Sequence, residues 1–217
     1  GSDLGLGSTF LYRGNHAAAR QTLVRGIRAA ARHSLWEERA LLSHEMARLA
    51  MRTERPAEAV RSGRAAFEAY GHGHPHLPRL ASELGVHWIR AGYAVDGQRV
   101  LQAVDPRQLD PAQRLERSAA LVRAAGVTGN ASLEASWQDA EEALRDAAGT
   151  DAARALIDMA IGAVAAGELE RAREASERAA RLVEGPASAA LREDIEVLQH
   201  LAAGDTPPPQ SRRKTPR

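Results

Sequence analysis

The sequence predicts an all-α protein built from helical hairpins that stack on one another, and three observations carry that reading. Alanine supplies 45 of the 217 residues and the aromatics only eight, which favours helices, where alanine is the best former, over sheets, which draw on β-branched and aromatic side chains. A pattern of small and large residues recurs: Leu6-Gly7, Phe10, Leu11 and Gly14 are matched by Leu84-Gly85, Trp88, Ile89 and Gly92. The two copies lie 78 residues apart, two units of about 39. Third, Ala or Gly recurs a few residues after each turn, at Ala19, Ala59, Gly97 and Ala172, where a following helix would need a small side chain for close approach.

Each element follows from that logic. The first helix, 3 to 13, carries Gly7 and Phe10 on one face and stops at Gly14; the second, 16 to 32, packs back through Ala19. Met46-Ala47 occupies the equivalent place in the third helix, 36 to 53, and Pro56-Ala57-Glu58-Ala59 opens the fourth, 56 to 70. The fifth, 77 to 91, runs from Leu84 to Gly92, and the sixth, 94 to 104, begins around Gly97. The seventh, 111 to 125, passes Ala119 and Val122 and is expected to stop at Gly126. A longer turn then leads to the eighth, 131 to 147, where Trp137 replaces the small residue. Met159-Ala160 and Ala163 mark the ninth, 150 to 166; Gly167-Glu168-Leu169-Glu170-Arg171-Ala172 turns into the tenth, 169 to 183. The eleventh, 187 to 203, has one apolar stripe of Ala190, Leu191, Ile195, Leu198 and Leu201, which suits a cap on the end of an array.

Composition excludes several classes. There is no cysteine, hence no disulfide scaffold and no thiolate metal site. No stretch reaches the roughly 18 to 20 apolar residues of a membrane helix, and a cytoplasmic protein is expected. The net charge is +1, and residues 205 to 217 contribute +3 of it, leaving −2 on the other 204 residues; nucleic acid is therefore not the expected partner. The excess of Arg over Lys, 28 to 1, points to a GC-rich coding genome. Gly1-Ser2 has the look of a tag-removal scar, residues 3 to 204 are expected to form the array, and the basic, Pro-rich 205 to 217 to be a disordered tail.

Catalytic and metal motifs are equally thin. His72-Gly73-His74-Pro75-His76 places imidazoles at alternate positions, but a turn between hairpins accounts for them better than a metal site, which needs a fixed geometry. His44-Glu45 has Arg48 where a zincin helix needs its second His, and Gly5-Leu6-Gly7-Ser8 follows no strand. No serine or carboxylate pairs with a His in the pattern of a nucleophile and its base. The expectation is no enzyme, no cofactor and no metal.

The paired small and large positions on successive helices resemble the tetratricopeptide repeat family over roughly residues 3 to 183, five hairpins with the eleventh helix as cap; the long spacing is similar to that of bacterial regulators. The resemblance implies a right-handed α-solenoid whose first helices line a concave groove. Tyr12, His44, Arg48, Arg52, Arg90 and Arg123 are then the groove candidates. Arg48 and Arg52 share a face, and Arg90 follows one hairpin later, so their guanidinium groups would converge on an acidic or carboxylate group. The implied function is a non-catalytic module that binds a protein or peptide, with oligomerisation open. The alternative is the ligand- or peptide-sensing domain of a helix-turn-helix transcriptional regulator whose DNA-binding domain would precede Asp3.

Overall fold

The computed structural model describes residues 2–53, 55–71, 74–183 and 189–204, with the backbone alone for Ser2, Leu4, Leu11, Tyr12, Pro56 and Ala190. The expected tail, 205 to 217, lies outside the described residues. Among those residues the chain forms eleven α-helices, one 3-10 turn and no strand. It divides into two compact units, the second beginning at Asp110.

The first unit holds α1 (Ser2–Tyr12), α2 (His16–Arg32), α3 (Trp36–Arg52), α4 (Pro56–Tyr70), α5 (Leu77–Arg90), α6 (Ala94–Gln102) and a 3-10 turn at Pro106–Gln108. Neighbours pack as hairpins, α3 with α4 and α5 with α6 most extensively, and α1 also touches α3. Leu23, Leu42, Met46 and Leu49 fill the core under α1 to α3, and Leu80, Leu84 and Tyr70 fill it under α3 to α5. Small residues make these contacts close: a Cβ added at Gly85 would lie 2.6 Å from Leu101 Cδ2, and one at Gly97 would lie 2.6 Å from the Gly85 carbonyl oxygen. Gly92 ends this hairpin's first helix with φ +95°, a conformation that a side chain disfavours. The sixth helix is two residues shorter than expected because Asp105 Oδ1 accepts the Arg107 N–H at 3.0 Å and fixes the 3-10 turn.

The second unit holds α7 (Pro111–Thr128), α8 (Leu133–Leu144), α9 (Gly149–Ala166), α10 (Leu169–Leu182) and α11 (Ala189–Ala202). A capping box starts α7: Asp110 accepts from the Gln113 N–H at 2.8 Å, Gln113 accepts from the Asp110 N–H, and Pro111 follows. Here α7 packs more extensively on α9 than on α8, and α11 covers α9 and α10 with Ile195 and Leu198 buried. Leu115, Val122, Leu156 and Met159 complete that core.

Gly126 corrects the sequence reading. The helix does not stop there but runs on to Thr128 and ends at Gly129, in the left-handed region at φ +65°. Gly126 instead lies on Gly162 of α9, so close that an added Cβ would overlap the Gly162 carbonyl oxygen.

Candidate functional site

Of the residues expected in a groove, His44 is the clearest correction. It lies on the same face of α3 as Ala40 and Ala47, which are fully buried, and is itself only 7% exposed. Its Nε2 is 3.0 Å from Glu83 Oε2 on α5, and its Nδ1 is 3.4 Å from the Tyr70 hydroxyl on α4. Glu83 also gathers two arginines: Arg79 Nε donates to it at 2.9 Å, and Arg48 Nε lies 3.7 Å away. Burial opposes ionisation of Glu83, but the hydrogen bonds from His44 and Arg79 and the charges of His44 and Arg48 outweigh it and hold its pKa at about 2. Burial, reinforced by Glu45 and Glu83, pushes the Tyr70 phenol up to about 12.

The arginines fare differently from one another. Arg48 also donates to Glu45 Oε1 at 2.9 Å, so two carboxylates already neutralise it. Arg52 is exposed in the last turn of α3, and Arg90 is half-buried in the last turn of α5, engaged with its own surroundings. Arg123 belongs to the second unit, where its Nη1 donates at 2.9 Å to Asp158, 2% exposed on α9. It joins α7 to α9. The side chain of Tyr12 lies outside the described residues.

His72 and Gly73 are also outside the described residues. The other two histidines of that turn pack on Tyr70: the His74 ring stacks on it at 4.4 Å, and the His76 ring is 5.9 Å from it. His74 Nδ1 accepts the His76 N–H at 3.2 Å. Among the described residues no three His, Asp or Glu side chains are placed to share a metal ion.

A different surface stands out, one that the repeat pattern did not indicate. Helix α2 carries Arg20, Arg25, Arg28 and Arg32 and no acidic residue. Arg20 donates through Nε and Nη2 to Glu58 of α4, at 3.2 and 2.9 Å, and Arg25 donates to Asp3 of α1 at 2.7 Å. Arg28 and Arg32, one turn apart, are exposed and make no ion pair with another described residue. With Val24 and Ala31 they line an open concavity of roughly 740 Å³. At the end of α2 the chain turns through Ser34, φ +54°, and the Leu35 N–H returns to the Ala30 carbonyl at 2.9 Å. That turn leaves Leu35 45% and Trp36 59% exposed, with the Arg39 guanidinium 5.7 Å from the Trp36 ring. The legible signals were four arginines without a carboxylate on one helix and a Leu-Trp pair in a turn.

Several cross-helix polar contacts share nearly one sequence spacing. His44–Glu83, Arg20–Glu58, Arg178–Glu141 and Arg171–Glu134 join residues 37 to 39 apart, on corresponding helices of successive hairpins. No family model, no curated protein and no solved structure matches the chain.

Proposed function

We propose that the chain is a non-catalytic, tetratricopeptide-like binding module that takes an acidic protein segment on the basic face of α2. The observation that carries this reading is the exposure of Arg28 and Arg32 on α2 together with that of Leu35 and Trp36 in the turn that follows it in the chain. Tryptophan and arginine dominate binding energy at protein interfaces, the ring through the area it removes from water and the guanidinium through paired hydrogen bonds to a carboxylate. Helix pairing at one-repeat spacing supports the repeat architecture. The pairing of Arg48 with Glu45 and Glu83, and of Arg123 with Asp158, supports placing the binding surface on α2.

The test is calorimetric titration of poly-L-glutamate into the chain at low salt. Binding should weaken as salt rises, fall at least about tenfold in Arg28→Ala/Arg32→Ala and in Trp36→Ala, and leave the melting temperature within a degree or so. Equal binding by wild type and both variants would remove α2 from consideration.

A further inference from the structure

The near-neutral chain is strongly polarised. Residues 1–109 carry 15 arginines against 10 carboxylates, net +5, whereas residues 110–204 carry 10 arginines against 17 carboxylates, net −7. The polarity concentrates on two helices. Helix α8 is the opposite of α2: it bears Glu134, Asp139, Glu141 and Glu142 and no basic residue. Two of its four charges are satisfied from the neighbouring helix, Glu134 by Arg171 at 2.7 Å and Glu141 by Arg178 at 2.6 and 3.1 Å. The other two, Asp139 and Glu142, are exposed and make no ion pair with another described residue. On α2, likewise, neighbours satisfy Arg20 and Arg25 and leave Arg28 and Arg32.

We infer that α2 of one copy of this chain docks on α8 of a second copy, Arg28 and Arg32 meeting Asp139 and Glu142, so that copies associate head to tail. The inference rests on the reading of α2 as a docking face and names its partner. The residual charges match in number and are opposite in sign. They lie four residues apart on α2 and three apart on α8, about 6 and 4.5 Å along the axes, a mismatch that long arginine side chains absorb. Net charges of opposite sign on the two units draw copies together before contact and disfavour like-to-like pairing. Because the two patches differ, the contact is heterologous, and association continues to a ring or a chain instead of stopping at a two-fold dimer.

The experiment is sedimentation velocity on the full chain across a concentration series, at about 10 mM and about 1 M salt, where the screening length falls from about 30 to about 3 Å. Species larger than the monomer are expected at low salt and monomer at high salt. Arg28→Glu/Arg32→Glu and Asp139→Arg/Glu142→Arg should each be monomeric at low salt, with unchanged melting temperatures. An equimolar mixture of the two should associate again, since each supplies the face that the other lost; a folding defect would not be cured by mixing. A wild-type chain that stays monomeric at low salt, or a mixture that fails to associate, overturns the inference. If that monomer still binds poly-L-glutamate through Arg28 and Arg32, the docking face stands and the second copy is not its partner. If it binds neither, both readings fall.

Discussion

The contact of one helix glycine with another joins different partners in the two units. In the first it lies inside a hairpin, where Gly85 of α5 meets Gly97 and Leu101 of α6; in the second it lies between hairpins, where Gly126 of α7 meets Gly162 of α9. Packing follows suit, since α5 is most engaged with α6, whereas α7 is more engaged with α9 than with α8. A missing Cβ thus serves either to close one hairpin or to stack two. The second use has less tolerance, because what faces the glycine is backbone on both sides: a Cβ at Gly162 would lie 2.5 Å from the Val122 carbonyl oxygen. At Gly85 the nearest atoms belong to the Leu101 side chain, and the Gly97 carbonyl oxygen follows at 3.2 Å.

The largest expected effect tests that difference directly. Gly126→Ala should destabilise the second unit by more than about 3 kcal/mol, the upper end for overpacking, because the two helices must separate along their length. Gly85→Ala should cost about 1 to 2 kcal/mol, with Leu101 moving aside. Chemical denaturation of both variants measures the gap, and a smaller loss at Gly126 would break the comparison.

Ion pairs sharpen it next. Asp158 in the second unit and Glu83 in the first both bridge first helices, but Asp158 is the more deeply buried, and Glu83 collects His44, Arg48 and Arg79. The deeper burial makes the loss of a cation costlier at Asp158. Arg123→Met is expected to cost about 3 kcal/mol by leaving a buried carboxylate short of its countercharge, and adding Asp158→Leu should restore most of that loss. Arg48→Met, with the Arg79 guanidinium and the His44 ring still on Glu83, should cost less than about 1 kcal/mol.

Glu83 also makes a pH prediction. Its pKa, about 2 in the folded chain, lies below the ordinary carboxylate value, so the unfolded chain binds the proton more readily. The stability it contributes is full above about pH 4.5 and drains away as pH falls toward 2. Glu83→Gln should cost about 2 kcal/mol at neutral pH, the partly accessible carboxylate being worth less than its full shift, and should flatten the acid limb of the stability profile over that window. An unchanged acid limb would show that His44 and Arg79 do not hold the charged form.

How much of this was legible in the sequence divides along the same lines. Local punctuation was: Gly14, Gly92 and Gly167 end helices with positive φ where the pattern placed stops, and helices 16 to 32 and 56 to 70 match residue for residue. A contact between hairpins was not, because Gly126 in one segment gives no sign that its partner, Gly162, sits 36 residues on in another; in isolation a glycine late in a helix resembles a stop. The buried state of His44 was hidden for the same reason, since its carboxylate and phenol come from α5 and α4. The sequence signal of these contacts is a polar partner about 39 residues on, as in His44 with Glu83 and Arg20 with Glu58. The α2 surface was not legible because the resemblance places a groove on the first helix of each hairpin, whereas Arg28 and Arg32 lie on a second helix.

The smallest effect isolates the backbone from packing. Gly92 in the first unit and Gly129 in the second both end helices with positive φ, and neither would bring an added Cβ within 4 Å of another group. Substitution there costs conformational energy alone, and the two differ only in where they sit on the map. Gly129, at φ +65° and ψ +29°, is near the centre of the left-handed region, which asparagine tolerates. Gly92, at φ +95°, lies outside it. Gly129→Asn is therefore expected to be nearly neutral and Gly92→Asn to cost about 1 kcal/mol, with alanine about 1 kcal/mol worse than asparagine at Gly129. Thermal melts of these three variants beside Gly126→Ala separate the two roles of glycine in one fold. If Gly92→Asn proves as damaging as Gly126→Ala, the turn is a packing site, and the distinction between the units disappears.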